Sequence, residues 1–362
     1  MTKHAKMSEI LKGTEEALQL ADSQDVSKLH DFLFAKPGKP MLFVGNGGMQ
    51  GHYASMLYEQ NVSIGKSTTP FMLHSMSDDV LRSCRCLLMS DGGKNMDIKD
   101  ATKRMAAVNL ENTGGFTSGD DPKNVLLKKL KPENVFLFPH PNTETFEDGF
   151  ISVTKKFYRE ALLYKAFTGE SACEQLKVDL EPSHCYQYEL NHSDGPLTPL
   201  GTINHFLVVY GGYGAPAAHD IESMLAESGM VSAQVTDYRN FCHGRFIFAS
   251  NHTRHDYAPH GNPVHAMPES DTAVILLVTP NEKNIAENFR KIGYKNRQVL
   301  PNETPIITIK TDFDNPLAAI DLHIKASVFI ADLGENHRDN NPFSPVNYSS
   351  IDKRYPKNYV KW

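Results

Sequence analysis

Several hallmarks of well-known protein classes are missing from this sequence. It has no uninterrupted apolar run of about 20 residues, the length that is needed to cross a bilayer. Its start, MTKHAKMSEILKGTEEALQLA, carries acidic residues and no apolar signal core, so we expect neither secretion nor organelle import. A formal charge of −6 argues against a general nucleic-acid binder, which would carry a basic patch. We therefore expect a cytoplasmic protein with no membrane or nucleic-acid partner.

Cysteine is scarce and follows no pattern. The five cysteines are odd in number and scattered: Cys84, Cys86, Cys173, Cys185 and Cys242. They form no CxxC motif of the redox or zinc type. Free thiols in a reducing compartment are the expected state.

Composition and length describe a globular chain of more than one domain. Hydrophobic residues make up 40% of the sequence and charged residues 22%, as in ordinary folded proteins. The 362 residues are too many for a single ordinary core and suit two domains of average size.

Strands and helices alternate through the first half of the chain. An N-terminal helical segment, residues 1–34, precedes PMLFVGNGG, which predicts a buried strand that runs into a glycine turn. The other elements predicted in this half are strands at PFMLHS, CRCLLMSDGG, NTGGFTS and NVFLFPHP, and helices near 50–60, 96–108, 122–130 and 151–167. This alternation predicts a mostly parallel sheet that is covered by helices on both faces.

The same pattern returns after a polar, proline-containing stretch at residues 171–199. The predicted elements of the second half are strands at HFLVVYGGYG, VSAQVTDYRNF, AVILLVTPNEKN and PIITIKT, and helices at 217–228 and 316–331. A repeat of domain length indicates tandem domains rather than a solenoid. We predict a first domain at 35–180, a second at 200–335, and a tail at 336–362.

Three glycine-containing turns follow predicted strands: Gly45-Asn46-Gly47-Gly48, Ser90-Asp91-Gly92-Gly93-Lys94-Asn95, and Gly211-Gly212-Tyr213-Gly214. Ligands of open parallel sheets bind at such places, where helix N-termini present N–H groups. The first turn superficially resembles the dinucleotide motif G-x-G-x-x-G, although Gly51 comes one residue too late. However, Ser75 and Ser77 stand where a dinucleotide site would have its acidic ribose partner, so we expect no nicotinamide cofactor. The alternative is that these glycines only permit tight turns.

The chain has sixteen histidines, of which several cluster between His252 and His265. This stretch lacks the ligand spacing of known zinc sites and has no cysteine nearby, so we expect an exposed polar loop and no metal.

A denser group of functional side chains lies between residues 221 and 246. Glu227 on a helix and His243 on the following loop could divide base and acid work, since both types can be tuned to titrate near neutral pH. The alternative is that Glu227 is a solvated helix charge and that Arg239 and His243 stabilise the loop.

Three segments of the sequence resemble motifs of the sugar-isomerase (SIS) domain family. LLMSDGGKNMDIKDA is similar to the family's phosphate loop, a strand followed by Ser-x-Ser-Gly-x-Thr. Glu227, a strand and then His243-Gly244 are similar to the family's glutamate and its Lys-His-Gly-Pro turn. The closing Pro-Lys-Asn-Tyr-Val-Lys is similar to the family's C-terminal segment that covers the sugar. The two-domain members that the chain resembles are the isomerase half of glutamine–fructose-6-phosphate transaminase and related amino-sugar-phosphate deaminases and deglycases.

The resemblance implies an α/β fold with two tandem SIS domains, each a doubly wound, flavodoxin-like parallel sheet flanked by helices. It implies that Glu227 moves a proton between sugar carbons C1 and C2 and that Lys361 covers the ring or forms a Schiff base. His243 would open the ring from a neighbouring subunit, which implies a homodimer or a higher homo-oligomer. The substrate-binding residues implied in the same way are Gly47, Gly48, Ser90, Asp91, Gly92, Lys94, Asn95, Gly212, Arg239 and Arg245.

The sequence departs from the family pattern in the phosphate loop. Gly92 and Asn95 replace hydroxyl residues, and Asp91 adds a negative charge that Lys94 could offset. One hypothesis is therefore a phosphosugar isomerase or an amino-sugar-phosphate deaminase or deglycase that needs no cofactor. The other is a catalytically degenerate sensor of a sugar phosphate, a nucleotide sugar or a nucleotide.

The tail is rich in aromatic residues, which disordered segments lack. We expect residues 341–362 to cover the ligand site with Lys361. The alternative is a tail that only clamps the second domain.

Overall fold

The computed structural model describes residues 6–45, 48–140, 153–191, 197–245, 272–289, 293–294, 297–298 and 304–338. Besides short 3-10 and π turns, its helices are α1 (Met7–Leu11), α2 (Thr14–Ser23), α3 (Ser27–Phe34), α4 (Gly48–Asn61), α5 (Pro70–His74), α6 (Asp78–Ser83), α7 (Met96–Asn109), α8 (Val125–Lys129), α9 (Thr154–Thr168), α10 (Ala172–Gln175), α11 (Pro182–Cys185), α12 (Ala215–Ser228), α13 (Tyr238–Asn240), α14 (Lys283–Phe289) and α15 (Leu317–Asp332). Its strands are β1 (Met41–Gly45), β2 (Gly65–Thr68), β3 (Arg85–Met89), β4 (Thr113–Thr117), β5 (Val135–Leu137), β6 (Gln187–Leu190), β7 (His205–Tyr210), β8 (Ser232–Asp237), β9 (Thr272–Val278), β10 (Gly293–Tyr294), β11 (Arg297–Gln298) and β12 (Pro305–Lys310).

The first sheet is wholly parallel, with the strand order β2-β1-β3-β4-β5. This is the doubly wound, flavodoxin-like order that was expected. The neighbouring inner strands β1 and β3 are buried along nearly their whole length, as strands covered on both faces must be. Their carboxyl ends, at Gly45 and Met89, lie side by side in register.

One predicted strand of this half is wrong. PFMLHS is not a strand but the short helix α5, and the second strand is β2, a few residues earlier. Thr69 caps the helix, because its side-chain oxygen accepts a hydrogen bond from the Met72 N–H at 3.2 Å. Pro70 is the first helical residue, where its fixed φ favours helix. An apolar run of four residues is too short for its period to distinguish strand from helix.

The second sheet is mixed. Its order is β6-β12-β9-β7-β8, and β6 runs antiparallel to β12 while the other neighbours are parallel. β6 lies within the stretch that the sequence assigned to the boundary, so this sheet begins before residue 200. As an edge strand with half-buried residues, β6 lacks the continuous apolar run that revealed the other strands. Without β6, the order β8-β7-β9-β12 repeats the second-first-third-fourth arrangement of the first sheet.

Four helices, α4, α9, α12 and α15, contact one another between the two sheets. α9 and α15 are buried at most of their positions. One continuous apolar cluster runs from Phe43 on β1 through Phe157 on α9 to Phe206 on β7. The helices therefore bring polar side chains from both halves of the chain close together. Within the described ranges, no helix is long and apolar enough to span a membrane.

Candidate functional site

A small cavity of about 190 Å³ opens at the carboxyl ends of β1 and β3. The residues that line it are Gly45, Gln50, Gly51, Met89, Ser90, Asp91, Asn95, Ile98, Lys156 and Arg159. It lies where an open parallel sheet binds its ligands. Of the predicted phosphate loop, Ser90, Asp91 and Asn95 line this cavity.

The loop from Ser90 to Asn95 is held in one conformation by local hydrogen bonds. The Gly93 N–H donates to Ser90 Oγ at 3.1 Å, and Gly93 has a left-handed φ of +58°. Asn95 caps α7, because its side-chain oxygen accepts a hydrogen bond from the Asp97 N–H at 2.9 Å. The loop thus delivers the N-terminus of a 14-residue helix beside the cavity, a position that favours an anion.

Asp91 lies beside two cations of α9, Lys155 and Arg159, and beside His140. His140 Nε2 lies 3.3 Å from Asp91 Oδ1, and Lys155 Nζ lies 4.0 Å from Oδ2. Burial opposes ionisation, but the hydrogen bond from His140 and the charges of Arg159 and Lys155 outweigh it and lower the pKa of Asp91 to about 2. Asp91 is therefore a carboxylate at every physiological pH.

Lys94 is not among these cationic groups. Its Nζ lies 2.5 Å from Asp121 Oδ2, its side chain is about half exposed, and it does not line the cavity. The expectation that Lys94 offsets Asp91 is therefore corrected: the offsetting charges come from Lys155 and Arg159 on α9. Gly92 also lies outside the cavity lining.

Arg159 is a buried cation at the cavity that the sequence analysis missed. Its side chain is 5% exposed, its Nη2 donates to the Phe116 carbonyl at 3.2 Å, and its guanidinium lies 4.9 Å from the centre of the Phe116 ring. Burial lowers the pKa of Arg159 to about 10, so it stays charged at neutral pH. Among the described residues, Arg159 Nε has no hydrogen-bond partner. A buried donor of this kind favours an acceptor from a ligand.

Lys156 is the second cation of the cavity. Its Nζ donates to Asp220 Oδ1 at 2.6 Å. Burial would lower the pKa of Lys156, but the adjacent Asp220 carboxylate outweighs burial and raises it. Lys156 is therefore an ammonium group, with donors beyond the one that Asp220 accepts.

Asp220 belongs to a buried polar chain that joins the two halves of the protein. His323 Nε2 lies 2.6 Å from Asp220 Oδ2, and His323 Nδ1 lies 3.1 Å from Glu160 Oε2. The side chains of these three residues are fully buried. Lys156 and Glu160 come from α9, Asp220 from α12 and His323 from α15, so no local sequence pattern points to this group.

The glycine turn that follows β7 in the second sheet lies against a carboxylate, that of Glu282. The Glu282 side chain lies against Gly211, where a Cβ would come within 2.4 Å of its Oε1. Glu282 Oε2 accepts a hydrogen bond from the Thr279 N–H at 3.2 Å. Gly212, which was predicted to bind substrate, faces this carboxylate at an ordinary contact distance. The first sheet holds the better anion site, because its cavity sets the cations Lys156 and Arg159 against the Asp91 carboxylate.

The predicted catalytic residues lie away from the cavity lining or outside the described residues. Glu227 is exposed on the last turn of α12, and its Oε1 accepts a hydrogen bond from Ser223 Oγ at 3.0 Å. It is close enough to Lys156 to contribute to the raised pKa of that lysine. His243 is exposed in a π turn at Phe241–Arg245. Lys361 lies outside the described residues.

The remaining predicted binding residues are spread over several elements. Gly48 is the first residue of α4. Arg239 is exposed, and its backbone N–H donates to Asp237 Oδ1 at 2.9 Å. Gly47 and the side chain of Arg245 lie outside the described residues, as does the histidine-rich stretch at 252–265. In the part of the chain that the structure describes, no three His, Cys, Asp or Glu side chains are grouped to hold a metal ion.

Comparison with known proteins shows similarity in structure without similarity in sequence. No protein-family model and no curated protein matches the chain. Tagatose-6-phosphate ketose/aldose isomerase from Escherichia coli superimposes with a TM-score of 0.63 at 13% identity, over 95% of this chain and 98% of that one. Glucosamine-6-phosphate deaminase from Thermotoga maritima gives 0.56 at 14% identity, over 94% and 98%. The C-terminal domain of glucosamine-fructose-6-phosphate aminotransferase from Francisella tularensis gives 0.55 at 13% identity, over 92% and 96%.

These likenesses span nearly the whole of each chain, so they concern the complete two-sheet architecture. They confirm the expected sugar-isomerase fold. At such low identity the fold is all that they show.

Proposed function

We propose that this chain binds a phosphorylated or otherwise anionic sugar in the cavity at the ends of β1 and β3, and that it moves a proton between C1 and C2 of the open-chain sugar. The observation that carries the proposal is the buried guanidinium of Arg159, which lines the cavity beside the Lys156 ammonium and has an unpaired Nε among the described residues. The N-terminus of α7 adds to the attraction for an anion.

The size of the cavity supports a small ligand. Pockets for drug-sized molecules hold about 300–1,000 Å³, whereas this one holds about 190 Å³. A single sugar phosphate suits that volume better than a dinucleotide does. Asp91, Ser90 and Asn95 supply acceptors and donors for hydroxyl groups around the same space.

Glu227 is the base in this proposal. It lies on α12, seven residues and therefore two turns beyond Asp220, so the two residues share a face of the helix. The phosphate end of an open-chain sugar would bind to Lys156 and Arg159, and the carbonyl end would extend toward Glu227. Proton abstraction beside a carbonyl requires a carboxylate within hydrogen-bond reach of the carbon-bound proton.

His243 and Lys361 complete the proposed mechanism. His243, from a neighbouring subunit, would open the sugar ring, and Lys361 would cover the open-chain sugar or form an imine with its carbonyl. This part of the proposal requires at least a homodimer. A monomer in light scattering at micromolar concentration would contradict the shared site.

Hydrogen exchange tests the reaction. The protein is incubated in deuterated water with glucose 6-phosphate, fructose 6-phosphate, tagatose 6-phosphate and glucosamine 6-phosphate, and NMR measures deuterium at C2 of the aldoses and at C1 of the ketoses. Loss of a general base slows a reaction by about 10²–10⁴-fold, so Glu227→Gln should slow exchange at least about 100-fold. Glu222→Gln, on the same helix, is the matched control and should leave the rate unchanged.

The sensor hypothesis is separated by the same panel. A ligand that binds only the folded state raises the melting temperature with concentration. Stabilisation without exchange at C2 would favour a sensor, and exchange that Glu227→Gln leaves intact would contradict the assignment of the base.

A further inference from the structure

Lys156 is the outer end of a row of four ionisable groups that runs from the cavity into the protein. Lys156 contacts Asp220, Asp220 contacts His323, and His323 contacts Glu160, at 2.6, 2.6 and 3.1 Å. Both ring nitrogens of His323 therefore face carboxylate oxygens. Three of the four side chains are fully buried, and Lys156 is 13% exposed.

With His323 protonated, the row holds two positive and two negative charges and is neutral. This count takes Glu160 as ionised: burial raises its pKa, while His323 and Lys156 oppose that effect. The exposed Glu227 carboxylate acts on Lys156 from outside the row.

The Phe157 ring meets the His323 ring edge to face and carries no charge. Tyr53 is also neutral, because burial and then the negative charge of Glu160 raise the pKa of its hydroxyl. If His323 loses its proton, two buried carboxylates share the single Lys156 ammonium.

We propose that His323 is a positioning residue of the anion site: its imidazolium holds Asp220, and Asp220 in turn holds the Lys156 ammonium at the cavity. This inference rests on the proposed function, because it assumes that the cavity binds an anionic group. The second half of the chain thereby helps to build a binding site at the end of the first sheet.

The physical reason lies in the flexibility of lysine and in the sign of the charge. A lysine side chain has four rotatable bonds, so its ammonium needs a fixed partner to stay at one place. Asp220 is that partner, and the positive charge of the His323 imidazolium offsets the negative charge of Asp220. Loss of the proton from His323 adds one net negative charge behind the site and weakens the attraction for an anion.

The charges of the row also set the pH at which His323 loses its proton and anion binding weakens. Burial alone would lower the pKa of His323, but Glu160 and Asp220 outweigh burial and raise it to about 9. We therefore expect anion binding to weaken as the pH rises through about 9. The titration belongs to the coupled row and not to His323 alone.

Sulfate is the probe, because it stays a dianion from about pH 7 to about pH 10 while free phosphate titrates within or near that range. Its affinity is measured by calorimetry on the full chain across this range. The wild type should lose at least about fivefold in affinity above pH 9. His323→Gln should already bind sulfate at least about fivefold more weakly at pH 7, and it should show only the loss toward pH 10 that comes from Arg159, whose pKa is lowered to about 10.

Two further variants keep the test decisive if His323→Gln is unstable. Glu160→Gln removes one carboxylate that raises the pKa of His323, so the loss of affinity should move to lower pH by about one unit or more. Asp321→Asn is the matched control, since Asp321 lies on the same helix and pairs with Lys325 at 2.7 Å, away from the cavity. It should leave both the affinity and its pH dependence unchanged.

Coupling to Lys156 distinguishes positioning from general damage. In a Lys156→Met background, His323→Gln should weaken sulfate binding clearly less than it does in the wild type, because the part of its effect that passes through the lysine is gone and only the direct effect of the lost charge remains. Equal losses in both backgrounds, or an unchanged pH profile in Glu160→Gln, would overturn the inference. If the wild type binds no sulfate, the inference is also overturned, whereas sulfate binding without sugar-phosphate exchange contradicts only the proposed reaction.

Discussion

Gly93 is the position where a single methyl group should do most harm to the candidate site. Its φ of +58° is in the left-handed region, and a Cβ there would lie 1.8 Å from Asn124 Oδ1. Asn124 is fully buried and cannot swing away freely. Its Nδ2 donates to Thr117 Oγ1 at 2.9 Å and to the Gly119 carbonyl at 2.7 Å, while its Oδ1 accepts from the Leu126 N–H at 3.0 Å. Gly93→Ala must therefore break a buried hydrogen-bonded contact between two loops.

The expected loss of stability is a sum of three effects. A left-handed conformation costs a residue with a Cβ about 1–2 kcal/mol. Displacing Asn124 removes the cap of α8, which is worth about 1 kcal/mol. Buried polar groups left without partners cost about 1–3 kcal/mol. Gly93→Ala should therefore lower the free energy of unfolding by about 3–6 kcal/mol.

Gly169→Ala is the matched control. Gly169 also has a positive φ, +76°, but a Cβ there meets nothing within 4 Å. This control should lose only the conformational part, about 1–2 kcal/mol.

Urea unfolding followed by far-ultraviolet circular dichroism measures both variants. The free energies of unfolding of the two variants should differ by at least about 2 kcal/mol. Gly93→Ala alone should also weaken sulfate binding, because Gly93 donates its N–H to Ser90 in the cavity wall. Equal losses of stability in the two variants would refute the argument that Asn124 holds the loop.

Three further predictions concern the site, the packing of α4 on α12, and the tail. Arg159→Gln should weaken sulfate binding at least about tenfold, whereas Lys94→Met should change it by less than about twofold, as calorimetry would show. Burial, and then repulsion from His219, lower the pKa of His52 to about 4, so the folded state disfavours its charged form. The free energy of unfolding should therefore fall by up to about 2 kcal/mol as the pH drops from about 6.5 to about 4, and this part should be absent in His52→Gln. Deleting residues 358–362 should abolish exchange at C2 with little change in melting temperature; a large drop in melting temperature with ligand binding intact would instead assign the tail to packing.

Much of the architecture could be predicted because parallel strands are long, buried and continuous in the sequence. β1, β3, β7, β9 and β12 are such strands, and each was expected where it lies. The segments that were misjudged are short or half-buried. α5 is a five-residue helix, and β6 is an edge strand whose polar residues hide its role.

Of the candidate site, the sequence predicted only the residues that lie close together in the chain, in the loop after β3. Ser90, Asp91 and Asn95 could be found because a loop between a strand and a helix occupies consecutive positions. Lys156 and Arg159 could not, because on a sequence they are two more charges in a helix. The one available signal was their place within a helix that is otherwise largely apolar, where a charge needs a partner.

The order of strands and helices, the repeat of the pattern in the two halves, and the loop that follows β3 could all be derived from the sequence alone. These follow from periodicity and glycine placement, which act between residues close in the chain. The charge of the cavity and the partners of its cations depend instead on how distant elements pack. α9, α12 and α15 meet between the two sheets, so Lys156, Asp220 and His323 become neighbours although they are far apart in the chain. Burial then makes each of these charges depend on the others, and that dependence exists only in the folded protein.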